Sequence, residues 1–181
     1  MLQLIIPAIE GWDDKKEEFV TLEKEQKIVL EHSLVSISKW EQKWHKPFIT
    51  KDDKSVAETI DYIKCMTITQ NVKPEVYNRL QNKHIDQVMD YINDPMTATW
   101  FREDPTPSKH SKVITSEQIY YWMITLNIPP QFEKWHLNRL LTLIRVCNEE
   151  NRPKKKHSGK QIIDQRRAEN EARKKMWNTK G

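Results

Sequence analysis

The sequence predicts a single, mainly helical α+β domain that begins with a small antiparallel sheet and ends in a basic helical tail. Three observations predict it: a length of 181 residues, strand-like alternation near the start, and helical periodicity with capping signals after Ser33. The presence of only three glycines beside long periodic runs also favours helices. We assign residues 1–151 to the globular α+β domain and 152–181 to the tail.

The N-terminal segment is predicted to form a β-hairpin or a small antiparallel sheet. Two apolar runs, 2–7 and 18–22, flank the polar stretch 11–17, which contains turn-forming aspartates. A third run, 27–32, is expected to add a strand to the same sheet, because three strands with a covered face are more stable than two.

A helical body follows this sheet. Ser33 is a suitable N-cap for a helix that ends near His45, ahead of Pro47. Capping-box patterns, prolines at first helical positions and apolar spacing predict the other helices, over 55–66, 74–80, 85–92, 115–126 and 129–147. The last two, joined by a turn at residues 127–128, are expected to form an antiparallel pair at the centre of the fold.

Two segments between the helices are predicted to be irregular or extended. Residues 96–101 alternate weakly and contain threonine and aromatic residues, which predicts a short strand or an extended segment. Pro105 and Pro107 mark a surface loop.

The positive charge of the chain is concentrated in the tail. Residues 152–181 hold eleven Lys/Arg and three acids, a balance of +8, whereas residues 1–151 balance at −4. Ser158 is predicted to cap a helix that runs through Lys175 and carries few large apolar side chains, so we expect it to order fully on a partner. The candidate partner-binding residues are Arg166, Arg167, Arg173, Lys174, Lys175 and Trp177.

Composition argues against membrane and secreted classes. Apolar residues make up 37% of the chain and the mean hydropathy is −0.82, so no stretch approaches the roughly 20 apolar residues of a membrane span. The apolar start lacks the basic region of a signal peptide, and two cysteines form no disulfide framework. We therefore expect a protein that stays in a reducing cytoplasm.

Motifs for metal, nucleotide or nucleophilic chemistry are absent from the sequence. The six histidines show no HxH, HxxxH or HExxH spacing, the cysteines show no CxxC, and no glycine-rich phosphate loop occurs. His136 and Cys147 are too far apart along one predicted helix to act as a dyad. We predict no catalytic residue, no metal and no cofactor.

The tryptophans have two interpretations. Aromatic faces stack on nucleic-acid bases or on sugars, and five of the seven tryptophans are candidates for such stacking. Trp40 and Trp44, like Trp122 and Trp135, lie within amphipathic helical patterns, where packing in a core or an interface is the more common role. This placement favours contacts with protein.

Several stretches of the sequence together carry a resemblance. They are LEHSLVS at 30–36 with SKWE at 38–41 and Trp44, DYIKCMT at 61–67, MTATWF at 96–101, IYYWMI at 119–124, WHLNRLL at 135–141, and NTKG at 178–181. They resemble a family of siphovirus proteins, from long-tailed bacteriophages, that are taken to be tail assembly chaperones. The similarity runs over nearly the whole chain.

The resemblance implies a non-enzymatic function. A protein of this family is expected to hold the tape measure protein soluble and to help tail tube subunits polymerise around it, in the cytoplasm of the host cell. Such proteins are often made in a short and a frameshifted long form. The family supplies no catalytic residue, and its implied partners are the tape measure protein and the tail tube protein. A second copy of the chain is a further candidate partner.

Two other functions are compatible with the same sequence. A virion structural protein of the tail or connector has a similar composition. A small nucleic-acid-binding protein would use the basic tail, because 166–167 and 173–175 are about two helical turns apart and attract phosphates. Glu169 and Glu171 interrupt this stripe, and a solvated helical face or a docking arm for an acidic protein surface explains the same pattern without nucleic acid.

Overall fold

The computed structural model describes residues 1–14, 17–50, 53–101, 113–152 and 159–177, and it has the predicted α+β class. The strands are β1 (Leu2–Ile6), β2 (Ile9–Asp13), β3 (Glu18–Glu23) and β4 (Gln26–Leu30). The α-helices are α1 (Leu34–Trp44), α2 (Val56–Met66), α3 (Asn82–Asn93), α4 (Ser116–Thr125), α5 (Leu137–Glu150) and α6 (Gly159–Trp177), and 3₁₀ helices span Pro74–Arg79 and Pro130–Lys134. The chain divides into two compact units, Met1–Asn148 and Glu149–Gly181.

The strands pair differently from the predicted hairpin. β1 is antiparallel to β4, and β2 is antiparallel to β3, so one hairpin is nested inside the other. The prediction that 2–7 and 18–22 flank a turn was therefore wrong, since β2 begins inside that interval. Burial explains the outer pairing, because Leu4 faces Ile28 and both are fully buried under the helices.

The first two helices begin at their predicted caps. The hydroxyl of Ser33 accepts a hydrogen bond from the Ser36 N–H at the start of α1, which ends at His45 in the left-handed conformation. Ser55 and Glu58 form the predicted capping box of α2. Helix α1 packs closely against α2 and α4, and it supplies the buried residues Leu34, Ile37 and Trp40 to the centre of the core.

The long helix predicted from Pro129 is divided in two. Residues 130–134 form a 3₁₀ turn, and α5 begins only at Leu137, whose N–H donates to the His32 carbonyl at 2.8 Å. This tertiary hydrogen bond, together with the antiparallel bridge between Ser33 and His136, sets the start of α5. Helices α4 and α5 are not the central pair that was predicted, because α1 occupies that position.

Other sequence predictions have mixed outcomes. Residues 96–101 contain no strand, because Met96 adopts a φ of 51° and its N–H donates to the Asp94 carboxylate, which makes a tight turn. The helix predicted in the tail is α6. The predicted cap Ser158 and the prolines of the 105–107 loop lie outside the described residues.

Candidate protein-binding surfaces

The inner hairpin is an exposed arm, which we define as β2 and β3, residues 9–23. Trp12 and Phe19 face each other across the two strands in an edge-to-face contact, with ring centroids 5.1 Å apart. Trp12 is 53% exposed and Phe19 is 71% exposed, although both are large apolar side chains. Solvent exposure of such a pair, outside a closed core, is typical of a surface that binds another molecule.

The opposite face of the arm is also apolar in part. Leu22 is exposed and lies directly over Gly11, where an added Cβ would come within 2.7 Å of the leucine Cδ1. The missing side chain at Gly11 therefore allows Leu22 to pack flat on the strand. Sequence reasoning missed the arm as a site, although its aromatic residues within an acidic stretch were a visible signal.

Arg79 fixes the base of the arm. One guanidinium nitrogen donates hydrogen bonds to the carbonyls of Pro7 and Lys24, at 3.1 and 3.3 Å, on the two sides of the junction between the outer and inner hairpins. Its Nε lies 3.2 Å from the Glu23 carboxylate. Because the arginine side chain is largely buried, these contacts hold the arm against the 3₁₀ helix Pro74–Arg79.

The predicted partner-binding residues of the tail lie on α6. Arg166, Arg167, Arg173 and Lys174 are exposed, and Trp177 is 67% exposed, whereas the side chain of Lys175 lies outside the described part. Arg166 and Arg173 are seven residues apart, which places them about 20° from each other around the helix. The helix therefore presents basic side chains along one line, with exposed glutamates between them.

The body tryptophans lie within or against the core. Trp40 is fully buried and donates a hydrogen bond to the Glu58 carbonyl, and Trp44 donates to the Asp61 carboxylate, each at 3.0 Å. Trp122 is partly buried against the same core, and Trp135 is partly buried and stacks on Phe132, with ring centroids 4.0 Å apart. This agrees with the interpretation that these four side chains pack in protein. Trp100, which lies in no helix, is 81% exposed.

A buried polar cluster lies beneath α1 and α2. The His32 Nδ1 lies 2.5 Å from the Tyr62 hydroxyl, which also lies 3.3 Å from the Ser36 hydroxyl. Burial and the neighbouring His136, whose ring centroid is 5.0 Å away, lower the pKa of His32 to about 3. Burial likewise raises the pKa of Tyr62. Both groups are therefore neutral at physiological pH.

His136 belongs to the same cluster. It is buried, and its Nε2 lies 3.0 Å from the Tyr91 carbonyl. Burial lowers its pKa, so its ring is an uncharged hydrogen-bonding group. The Tyr91 hydroxyl donates to Glu31, which also pairs with the N-terminal amine at 3.2 Å. These bonds connect β4, α3 and α5. The polar atoms of the cluster are therefore engaged in contacts that hold the fold together.

A cavity of about 720 Å³ opens beside His32 and Tyr62. Its walls come from apolar side chains of α2, α3 and α5, which include Ile63, Val88 and Leu141. The amide of Asn138 at its edge donates to backbone carbonyls of residues 92 and 94. His32, Tyr62 and Asn138 already form hydrogen bonds within the fold, so the apolar walls suit an apolar group, and Asp53 and Lys54 are the charged residues of the lining.

Within the described ranges, no three His, Cys, Asp or Glu side chains come together in a way that would hold a metal ion. Likewise, no helix in the part of the chain that the structure describes is long and apolar enough to cross a membrane. Comparisons with protein families, curated proteins and solved structures found no match to this chain.

Proposed function

We propose that this protein is a non-enzymatic assembly chaperone of the siphovirus tail, which binds the tape measure protein and tail tube subunits in the host cytoplasm. The observation that supports this most is the exposed arm, with Trp12 and Phe19 presented to solvent by a body that has its own closed core. Large apolar side chains in this position favour contact with another polypeptide.

The sequence resemblance supports the same proposal. The stretches at 30–44 and 61–67 form most of α1 and α2, and the stretches at 119–124 and 135–141 form much of α4 and the start of α5. The resemblance therefore lies largely in the helices of the body. It comes with no catalytic residue.

Helix α6 is the second surface through which we propose that a client binds. Its exposed basic side chains provide salt-sensitive contacts, and exposed Trp177 provides an apolar one. Such contacts are reversible, as an assembly factor requires, because exposed ion pairs contribute little free energy each.

Co-purification with the tape measure protein tests this proposal. We expect a tagged full chain, co-expressed with that protein, to retain it, and Arg166→Gln/Arg173→Gln to recover at least threefold less. Lys73→Gln/Lys83→Gln removes the same charge from exposed positions of the body and should change nothing. Failure of the unaltered chain to retain the tape measure protein would refute the proposal.

Two further measurements separate the alternatives. An assembly chaperone is left behind when the tail is complete, so purified particles should lack the protein, and its presence at a stoichiometric level would indicate a virion structural role. A DNA titration at rising salt tests the nucleic-acid role, since phosphate contacts lose affinity steeply as salt increases. Tight, salt-sensitive DNA binding would favour that alternative.

A further inference from the structure

The arm is acidic as well as aromatic. Residues 9–23 contain six acids and two lysines, a balance of −4 within fifteen residues. Glu10 lies on the same face as Trp12 and Phe19, because strand residues alternate between faces. On the other face, Asp13 lies directly opposite Glu18 across the two strands. Both apolar faces of the arm are therefore flanked by carboxylates.

This combination selects the class of partner. Negative charge repels nucleic acid and anionic lipid headgroups, so neither is a suitable ligand for the arm. A polypeptide segment with lysines or arginines beside apolar side chains would satisfy both features, because its cations meet the carboxylates while its apolar groups cover the aromatic pair.

The backbone of the arm offers a third feature. Among the described residues, β2 and β3 pair only with each other, so each strand keeps one edge with no neighbouring strand. A free edge can accept an added strand from a partner through main-chain hydrogen bonds. Strands of five and six residues span about 17–20 Å, which a six-residue extended segment would cover.

We propose that the arm is a docking site for a basic, apolar-containing segment of a client protein, bound in extended conformation along a free strand edge. This inference rests on the proposed function, because it names the kind of client segment that the chaperone would hold. The cationic side chains of the client segment make its association with the arm depend on salt. Contact with the Trp12–Phe19 pair supplies most of the affinity of the complex.

A fluorescent twelve-residue peptide of alternating lysine and leucine tests this proposal against the full chain by anisotropy. We expect binding that weakens as salt rises, and much weaker binding of the matched peptide of alternating glutamate and leucine. Phe19→Ala should weaken binding about tenfold, and Glu10→Gln/Glu18→Gln about fivefold. All three side chains are exposed, so the variants should keep the urea midpoint of the unaltered chain.

The control is Asp86→Asn/Asp90→Asn, which removes two exposed carboxylates from α3 and should change the affinity less than twofold. An equal loss in this control, equal binding of both peptides, or no binding at all would overturn the docking proposal. So would concentration-dependent dimerisation that Phe19→Ala abolishes, because the occupant would then be a second copy of this chain.

Failure here and failure of the proposed function are distinguishable. If the tape measure protein co-purifies equally with the Phe19→Ala variant, the chaperone function stands and the arm site is wrong. If the lysine peptide binds at the arm while no tail protein is retained, the arm site stands and the chaperone function is wrong.

Discussion

Glu41 provides the sharpest test of how the body is held together. This carboxylate of α1 is buried, and its two oxygens accept backbone N–H hydrogen bonds from Phe48 at 2.7 Å and from Ser116 at 2.8 Å. The second bond supplies an acceptor for a backbone N–H in the first turn of α4. The side chain of Thr115, the N-cap residue of this helix, makes no capping hydrogen bond. One side chain therefore joins α1, the segment after it and a helix 75 residues away.

The expected cost of removing Glu41 follows from these two bonds. In Glu41→Ala, two N–H groups lose their acceptor, at about 1–3 kcal/mol each. Relief from burying the charge offsets part of this loss, so we expect the free energy of unfolding to fall by about 2–4 kcal/mol. Glu41→Gln keeps one acceptor oxygen and should lose about half as much.

Urea denaturation of the full chain, followed by far-UV circular dichroism, measures both variants. The midpoint should fall in the order unaltered chain, Glu41→Gln, Glu41→Ala, with an unchanged denaturant dependence. Asp90→Ala, an exposed carboxylate on α3, is the control and should stay within about 0.5 kcal/mol of the unaltered chain. If Glu41→Ala costs no more than this control, the assigned role of the carboxylate is wrong.

Two further predictions concern the buried histidines and the base of the arm. The pKa of His32 is about 3 in the folded chain and 6.5 in the unfolded chain, so stability is complete above pH 6.5 and falls below it, by at most about 1.4 kcal/mol per pH unit. His32→Gln should reduce the dependence of the urea midpoint on pH between 7.5 and 4.5, and His136 and His84, whose pKa values burial also lowers, should contribute to what remains; an unchanged slope would contradict this. Arg79→Ala removes the hydrogen bonds to Pro7 and Lys24, so amide exchange in β2 and β3 should accelerate at least tenfold while β1 and β4 change little. Equal acceleration in all four strands would argue against a local role for this arginine.

The candidate surfaces were only partly predictable from sequence. The basic residues of α6 were visible because charge is a property of composition and helical spacing places Arg166 near Arg173. The arm was missed, because its pattern of acidic and aromatic residues does not by itself distinguish an exposed Trp12 or Phe19 from a buried one. Exposure depends on which strands are covered by helices, and that is a property of the assembled body.

The sequence by itself determined the elements whose signals are local. Ser33 and Ser55 set the starts of α1 and α2, because a capping hydroxyl bonds N–H groups within three residues of itself. The tertiary structure alone decided the pairing of β1 with β4, the start of α5 and the partner of the α4 N-terminus. Each of these depends on hydrogen bonds or apolar burial between residues 20 or more positions apart, which a local pattern does not encode.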